Sequence, residues 1–502
     1  MTMKPESGVL DIGNATQLLL DRRLCSESEG IRLVMNRPVR TGEVLLEPTE
    51  LEKTNRLCYD YCCSVLQENG VTRLWYYANN QDEKSRRRLC YAESDDGVVF
   101  RRPTVNPRTN VGLDLPNAVI DDPVQGGCVW IDPFAPPAER YRSQAKWGPP
   151  GKYPGKGSSF HFYGSPDGFS WKETHHLHIG DCDTQSVVFY DESYGRYVLY
   201  TRTWKRFEDH NLSSRKVRRL ESDDLVNWSN EQIVWEADAH DLARYVTSVG
   251  KPPVDCYGAC VFKYPGAGNL YIMVAQHFWH WQDRPEHEKW GYSPDPENLD
   301  RTIVHLAPAV IDARLAYSYD GIHFERPIDR GPFLGVGPDG RFDSRWVWVL
   351  PNPVIREHDI WFYYYGGNRD HDHFVDSAAT ERLSGIGRAV MRRDAFVSAE
   401  ADLDGGWLMT PLLRYNPGTL EVNAAASAGG YVKVEVFDEQ SRPIPGLSGK
   451  DSVRLCGDSV RLPVRWNSRE FEKTANRPVR FKFYLREARL FSFTVSAPTT
   501  EP

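Results

Sequence analysis

Residues 183–204 read DTQSVVFYDESYGRYVLYTRTW, and residues 218–228 read RRLESDDLVNW. Apolar and aromatic residues alternate with others along both segments, and a turn from Asp191 to Gly195 separates two of the alternating runs. Period-two alternation bounded by Gly, Asp and Ser is typical of strands joined by tight turns. The two segments therefore predict one antiparallel β-meander, which starts at Asp183 and ends in a Ser-Asp-Asp turn before Trp228.

The turn of this meander recurs along the chain. Most copies place Ser and Asp after a strand, often with Gly, and before an aromatic residue. The copies lie at residues 91–100, 163–171, 221–228, 317–324 and, in degenerate form, 392–396. Ser and Asp side chains can bond nearby backbone amides, and Gly accepts positive φ. Because further strand-like runs precede each turn, the repeat predicts an all-β chain with a five-bladed β-propeller.

The pattern changes after Gly405. Strict alternation continues, as in residues 431–437, but the Ser-Asp-Gly turn is absent from the sequence beyond this point. Alternation without this turn predicts a C-terminal β-sandwich over residues 405–502. The predicted organisation is thus an N-terminal segment, residues 1–50, that wraps around a propeller catalytic domain, residues 51–404, followed by the sandwich.

Composition excludes several classes of function. The chain has 502 residues and a formal net charge of −8, which argues against a nucleic-acid partner. The basic runs Arg86–Arg88 and Arg215–Arg219 are interpreted as solvated faces. No apolar run approaches membrane-spanning length, so no membrane partner is expected. The N-terminus carries no secretory apolar region, and the ten cysteines lack zinc-like spacing, which together favour reduced thiols in a cytoplasmic protein.

Aspartates at the starts of predicted inner strands are the candidate catalytic groups. They are Asp60, Asp183, Asp255 and Asp343. One such aspartate is usually turn chemistry, but ring closure would bring four of them near a common funnel. Like charges in a funnel raise the pKa of some carboxyl groups, which separates an acid from a base. Glycoside hydrolysis needs this pair of roles.

Aromatic and hydrogen-bonding residues at predicted strand ends are the candidate substrate contacts, because aromatic faces stack on sugars while polar groups bind hydroxyls. The alternative, equally weighted, is that the tryptophans fill gaps between blades. The candidate residues are Arg202, Trp204, Tyr257, His277, Trp279, Arg345, Trp346, Arg369 and His371.

Two histidine clusters could suggest a metal. His175, His176 and His178 form one, and His371 with His373 the other. Neither has a tight ligand spacing with a clear partner, and an exposed polar strand explains the first more simply. No metal is therefore predicted. No cofactor is predicted either, because the sequence lacks Walker and dinucleotide-binding motifs.

Several segments carry a family resemblance. They include the opening stretch, FDSRWVWV at residues 342–349, YYYGGN at residues 363–368, and the closing run from LEVNA at residue 420 to DSVRLPVRW at residue 466. Nearly the whole chain resembles the bacterial glycosyl hydrolase family 32-like and family 43-like propellers that carry a C-terminal β-sandwich. The resemblance implies the five-bladed fold and a carbohydrate-active enzyme. The nucleophile motif Trp-x-Asn-Asp-Pro-Asn of family 32 is not in the sequence, so fructosidase roles do not transfer.

The sequence therefore predicts a glycosidase that acts on an oligo- or polysaccharide, with a mild preference for a furanoside from the family analogy. Three alternatives stay open: a non-catalytic carbohydrate-binding propeller, a phosphorylase and a lyase. An anion-binding cluster of Arg345, Arg369 and His371 would favour the phosphorylase. The stereochemistry, the choice between exo and endo action and the formation of a homo-oligomer are not determined by the sequence.

Overall fold

The computed structural model describes residues 8–49, 64–79, 87–105, 115–120, 124–147, 159–180, 182, 185–206, 213–242, 254–280, 309–368 and 383–497. Within these ranges the fold is built almost wholly of β-strands, as the alternating sequence predicts. The α-helix found there, α1, spans only Ala239–Leu242. No helix in the described part of the chain is long and apolar enough to cross a bilayer.

Five short strands come first, before the first repeat of the turn. Each of them pairs with a strand far along the chain. They are β1 (Val9–Gly13), β2 (Gln17–Leu18), β3 (Glu27–Glu29), β4 (Arg32–Met35) and β5 (Val39–Leu46).

Three four-stranded antiparallel sheets follow, and in each the strands lie side by side in chain order. The first sheet contains β6 (Ser64–Glu68), β7 (Val71–Asn79), β8 (Arg87–Ser94) and β9 (Ala118–Ile120). The second contains β10 (Val124–Ile131), β11 (Tyr141–Trp147), β12 (Ser159–Ser165) and β13 (Lys172–His178). The third contains β14 (Val187–Asp191), β15 (Arg196–Arg206), β16 (Ser213–Ser222) and β17 (Ser229–Trp235). The meander predicted from the opening stretch is this third sheet.

The next strands form one larger sheet. Its first half holds β18 (Val254–Lys263), β19 (Tyr271–His280) and β20 (Ala309–Ser318). Its second half holds β21 (Trp346–Val349), β22 (Val354–Ile355), β23 (Asp359–Gly367) and β24 (Ser384–Arg392). One parallel pairing, Ile311 with Trp346, joins the halves. Strand β5 pairs with β24 and completes the second half, so that segments more than 300 positions apart in the sequence lie side by side.

All but one of the remaining strands belong to a second eight-stranded sheet, which also contains β2, β3 and β4. They are β25 (Val397–Ala401), β26 (Gly406–Met409), β27 (Leu412–Tyr415), β28 (Thr419–Phe437), β29 (Asp458–Pro463) and β30 (Arg480–Ser496), of which β27 instead pairs in parallel with β1. Strands β2, β3 and β4 pair with β30, β26 and β25. The predicted division into a sandwich over residues 405–502 stays a prediction.

The repeated turn has the chemistry that the sequence predicts. In the copy at residues 163–171, Gly168 N–H donates to Ser165 Oγ (2.9 Å), and Phe169 N–H donates to Asp167 Oδ1 (2.8 Å). Gly168 has a φ of +83°. In two other copies backbone amides donate in the same way to the Ser and Asp oxygens, and in the third copy Val226 N–H donates to Asp224 Oδ1 while Asp224 N–H donates to Ser222 Oγ. Leu225 takes the place of the glycine in the third copy, with a φ of +64°.

Each turn also accepts a hydrogen bond from a side chain of the preceding unit, that is, of the sheet or half-sheet before its own. The first turn accepts one from the last unit, the second half of the larger sheet. In four turns the acceptor is the carbonyl of the residue with positive φ; in the fifth it is that residue's carboxylate. The pairs are Trp75 Nε1 to Gly168 O (3.0 Å), His175 Nε2 to Leu225 O (3.0 Å), Tyr200 Oη to Gly321 O (2.7 Å), Tyr264 Oη to Asp394 Oδ1 (2.6 Å) and Tyr363 Oη to Gly97 O (2.8 Å). The set of contacts is therefore circular.

The turn around Gly321 accepts one buried and one exposed tyrosine hydrogen bond, so the exposed one serves as a control for the buried one. Tyr200 is 1% exposed and binds Gly321 O, whereas Tyr194 is 37% exposed and binds the neighbouring Asp320 O (2.6 Å). We expect Tyr200→Phe to lower the free energy of unfolding by about 1–3 kcal/mol, because it leaves a buried carbonyl unpaired. Tyr194→Phe should cost less than about 0.5 kcal/mol, since water replaces its hydroxyl. Urea denaturation checks both, and equal losses would contradict a role for burial.

The basic run Arg215–Arg219 is not a solvated face, so that interpretation was wrong. Its four cations are 0–5% exposed, because β16 lies inside the third sheet between β15 and β17. Arg88, in the other basic run, is also buried. Buried cations persist where carboxylates pair with them. The pairs are Arg215 with Asp255, Lys216 with Glu236, Arg218 with Glu231 and Arg219 with Glu221.

Candidate functional site

Asp255, at the start of β18, forms a buried ion pair with Arg215 of the neighbouring sheet. Asp255 Oδ2 lies 2.6 Å from Arg215 Nη1, and Asp255 Oδ1 accepts the backbone N–H of Arg215 at 3.0 Å. The side chains are 0% and 1% exposed. Both carboxylate oxygens thus serve one arginine, which fixes that arginine as well as the start of the strand.

Tyr257 lies at the centre of an aromatic and cationic cluster. A register shift in β18 falls between Cys256 and Gly258, at Tyr257. The guanidinium carbons of Arg215 and Arg202 lie 4.8 and 5.4 Å from the Tyr257 ring centroid. Trp346 and Trp348 present near-perpendicular rings, at 6.5 and 5.5 Å between centroids. Strands β15, β16, β18 and β21 therefore bring four of the predicted site residues together: Asp255, Tyr257, Arg202 and Trp346.

The segment just before β14 contacts the same cluster. Trp348 Nε1 donates to the side-chain oxygen of Gln185, and both residues are buried. Gln185 follows Asp183 by two residues in the sequence. Asp183 itself, and Asp60 before β6, lie outside the described residues.

Asp343 binds a different arginine from Asp255. Its Oδ2 accepts from Arg40 Nε of β5 at 2.7 Å and from Tyr364 Oη of β23 at 2.9 Å, and the residue is 2% exposed. A Cβ atom at Gly337 would lie 2.0 Å from Asp343 Oδ1, so only glycine fits there. These contacts join the loop before β21 to the N-terminal strand. Asp255 and Asp343 thus belong to two separate ion pairs.

His277, on β19, is held as a neutral imidazole. It is 2% exposed, and burial lowers its pKa to about 3. Trp235 Nε1 donates to His277 Nε2 at 3.3 Å, which leaves the ring proton on Nδ1. The ring lines a pocket with Trp235, Arg314 and Arg326.

The depressed pKa of His277 makes stability depend on pH. Its pKa is about 3 in the folded chain and 6.5 in the unfolded one, so the unfolded chain binds the extra proton between these values. The contribution of His277 to stability is therefore fully present above pH 6.5 and is lost as the pH falls toward 3. From pH 7 to pH 5 the wild type should lose about 2 kcal/mol more than His277→Asn, which keeps an acceptor for Trp235. Urea titrations at both pH values measure this, and parallel losses would contradict a buried neutral His277.

The arginines of this pocket are each bound to an aspartate. Arg314 is bidentate on Asp312, at 2.8 and 2.6 Å. The other pairs are Arg326 with Asp241 (2.7 Å) and Arg330 with Asp238. Burial raises the pKa of Asp238, but the hydrogen bond from Arg330 and the charge of Arg326 outweigh it and lower the pKa. The pocket is therefore charge-balanced, without the excess of cations that a phosphate site needs.

The remaining predicted contacts are placed as follows. Trp279 is partly exposed and donates from Nε1 to Asp312 Oδ1 at 3.0 Å. Arg345 Nη1 lies 2.7 Å from Asp339 Oδ1, and its side chain is 27% exposed. Trp204 lies within β15. Arg369 and His371 lie outside the described residues.

Sequence reasoning missed the partners that complete the cluster. Arg215 was taken for part of a solvated basic run. Its spacing with Val217 and Arg219, however, places these three on one face of β16. Trp348 and Gln185 stand two residues from Trp346 and Asp183, and the same period-two rule could have found them.

No family model matches the chain, and no curated protein does either. Solved structures are similar to it. One described as a glycoside hydrolase is 13% identical over 71% of this chain and 92% of its own, with a TM-score of 0.46. A glycosyl hydrolase from Bacteroides ovatus is 14% identical over 72% and 95%, with a TM-score of 0.42. A fructofuranosidase from Schwanniomyces occidentalis, complexed with fructosylnystose, is 10% identical over 92% and 98%, with a TM-score of 0.40. The first two are described as glycoside or glycosyl hydrolases and the third as a fructofuranosidase.

Proposed function

We propose that this chain is a glycoside hydrolase whose active site lies where the inner strands of its sheets converge. The observation that carries the proposal is the cluster around Tyr257. It unites residues of the third sheet and of both halves of the larger sheet that the sequence independently predicts as site residues, and it includes Gln185, two positions after Asp183 in the sequence. Aromatic rings beside cations and carboxylates suit a ligand with both C–H faces and hydroxyls.

The scaffold is proposed to be a five-bladed propeller over residues 51–404. The circular set of turn contacts supports it, because each sheet or half-sheet binds the next and the fifth binds the first. Strand β5 completes the fifth unit, in keeping with a wrapping N-terminal segment. The proposed sandwich beyond residue 405 packs on that unit through Arg392 Nε to Asn423 Oδ1 (2.7 Å) and Ser492 Oγ to Asp394 Oδ2 (2.8 Å).

The roles of the four aspartates differ in this proposal. A general acid must exchange its proton with the leaving oxygen, and a nucleophile or base must reach the anomeric carbon or a water. Asp255 and Asp343 are buried and each is bound to an arginine, so they are assigned structural roles rather than catalytic ones. Asp183 and Asp60, which the sequence predicts at the starts of inner strands of two other units, are assigned as the catalytic pair.

The glycan contacts are assigned by exposure. Trp279 and Arg345 are partly open to solvent and can touch a sugar, whereas Tyr257, Arg202 and Trp346 are buried and support the site from beneath. A hydrolase is proposed in preference to a phosphorylase, because Arg345, the described member of the predicted anion-binding cluster, is paired with Asp339.

A panel of aryl glycosides and natural oligosaccharides, furanosides included, tests the activity. Hydrolysis of at least one substrate, with a rate independent of inorganic phosphate, is expected. A rate that requires phosphate would indicate the phosphorylase. Binding of a glycan without turnover of any member would contradict an enzymatic role and favour the carbohydrate-binding alternative.

A further inference from the structure

Three side chains on the second sheet converge on one point outside the proposed site. They are His161 on β12, with Glu173 and His176 on β13. Glu173 Oε1 lies 3.1 Å from His161 Nδ1 and 3.0 Å from His176 Nδ1. One carboxylate oxygen is thus almost equidistant from two imidazole nitrogens.

A β-bulge creates this convergence. His161 pairs with His176 and Phe162 with His175, but Tyr163 pairs with Glu173. Thr174 is therefore the extra residue of the bulge. In a regular strand, residues 173 and 176 would point to opposite faces, because side chains alternate. The extra residue places Glu173 on the face of His176, directly beside His161.

We propose that His161, Glu173 and His176 form a binding site for a divalent transition-metal ion, Zn²⁺ in the first instance. The donor set is two imidazole nitrogens and one carboxylate oxygen, which suits zinc. Ligands that bind Zn²⁺ at about 2.0–2.2 Å in a tetrahedron lie about 3.3 Å from each other. The separations of 3.0 and 3.1 Å therefore need little adjustment, and a water would fill the fourth position.

The imidazole of His161 is already oriented for this task. Its second nitrogen, Nε2, lies 2.9 Å from Ser159 Oγ, and the side chain is 12% exposed. A hydrogen bond to the non-ligating nitrogen fixes the tautomer and the ring plane of a metal-bound histidine. The ring of His176 stacks on that of His161, with 5.0 Å between centroids and 19° between planes. Glu173 and His176 are 37% and 60% exposed, so an ion can enter from solvent.

The position of the site suggests what the ion does. Among the described residues, strand β13 is the last strand of its sheet, and the hydrogen-bond ladder joins it to β12. A metal ion with ligands on both strands would crosslink the edge strand β13 to β12 and stabilise their pairing.

Zn²⁺ binding to the full-length, chelator-treated protein tests the proposal by calorimetry. The wild type should bind one Zn²⁺ that His161→Ala and His176→Ala lose, and Ser159→Ala should weaken this binding about tenfold. His323→Ala is the matched control, because His323 Nδ1 binds Asp320 Oδ2 at 2.6 Å and forms an exposed histidine–carboxylate pair. It should bind Zn²⁺ as the wild type does.

A second measurement reports on the strand. Saturating Zn²⁺ should slow hydrogen exchange of the amides of residues 172–178 in the wild type and leave them unchanged in His176→Ala. The proposal is overturned if the wild type binds no Zn²⁺, or if the ligand variants bind it as tightly as His323→Ala does.

Discussion

Asp255→Asn is expected to lower the free energy of unfolding by about 3–5 kcal/mol, the largest loss of stability from any single charge that we predict. The substitution removes the carboxylate that pairs with the guanidinium of Arg215, which is 1% exposed. The arginine stacks on Tyr257, so the cluster loses its anchor as well as its charge balance. Urea denaturation at pH 7 measures the loss.

Two control variants separate this effect from others. Asp255→Asn combined with Arg215→Gln should recover most of the stability, because no buried charge is then left unpaired. Asp402→Asn removes a partner from the exposed pair Arg32–Asp402 and should leave the urea midpoint unchanged. A single variant as stable as the wild type would contradict the buried ion pair, as would a double variant whose loss is the sum of the single losses.

Asp183→Asn is expected to have the largest effect on activity. An amide can neither donate the proton of a general acid nor attack as a carboxylate, so turnover of the best glycoside should fall by about 10²–10⁴-fold. The loss should appear in kcat, with the thermal midpoint of unfolding unchanged. Asp60→Asn should behave in the same way.

The sequence predicts the strands and their repeated turn because both depend on local rules. Alternation places Val198 and Tyr200 on strand β15, and Ser165 with Asp167 bonds amides within the same few residues. Such patterns are complete within one short segment, so no distant partner is needed to read them.

Features that depend on distant partners could not be read in this way. Arg215 looks like a surface residue until Asp255, 40 positions later, is brought beside it. The contact between β5 and β24 joins residues more than 300 positions apart, and Asp343 gains Arg40 from it. His161 and Glu173 meet only because Thr174 is a bulge, which no spacing rule of a regular strand predicts. Two of the four aspartates thus turned out to be bound to arginines that the sequence did not connect with them.

The most direct measurement is the initial rate of glycoside hydrolysis by Asp183→Asn and by Asp343→Asn, relative to the wild type. Asp343 is the matched aspartate, since it starts an equivalent segment but is bound to Arg40 and Tyr364. We predict that folded Asp183→Asn loses at least about 100-fold in kcat while folded Asp343→Asn keeps most of it. Full turnover by folded Asp183→Asn would contradict the assignment of catalysis to this strand start.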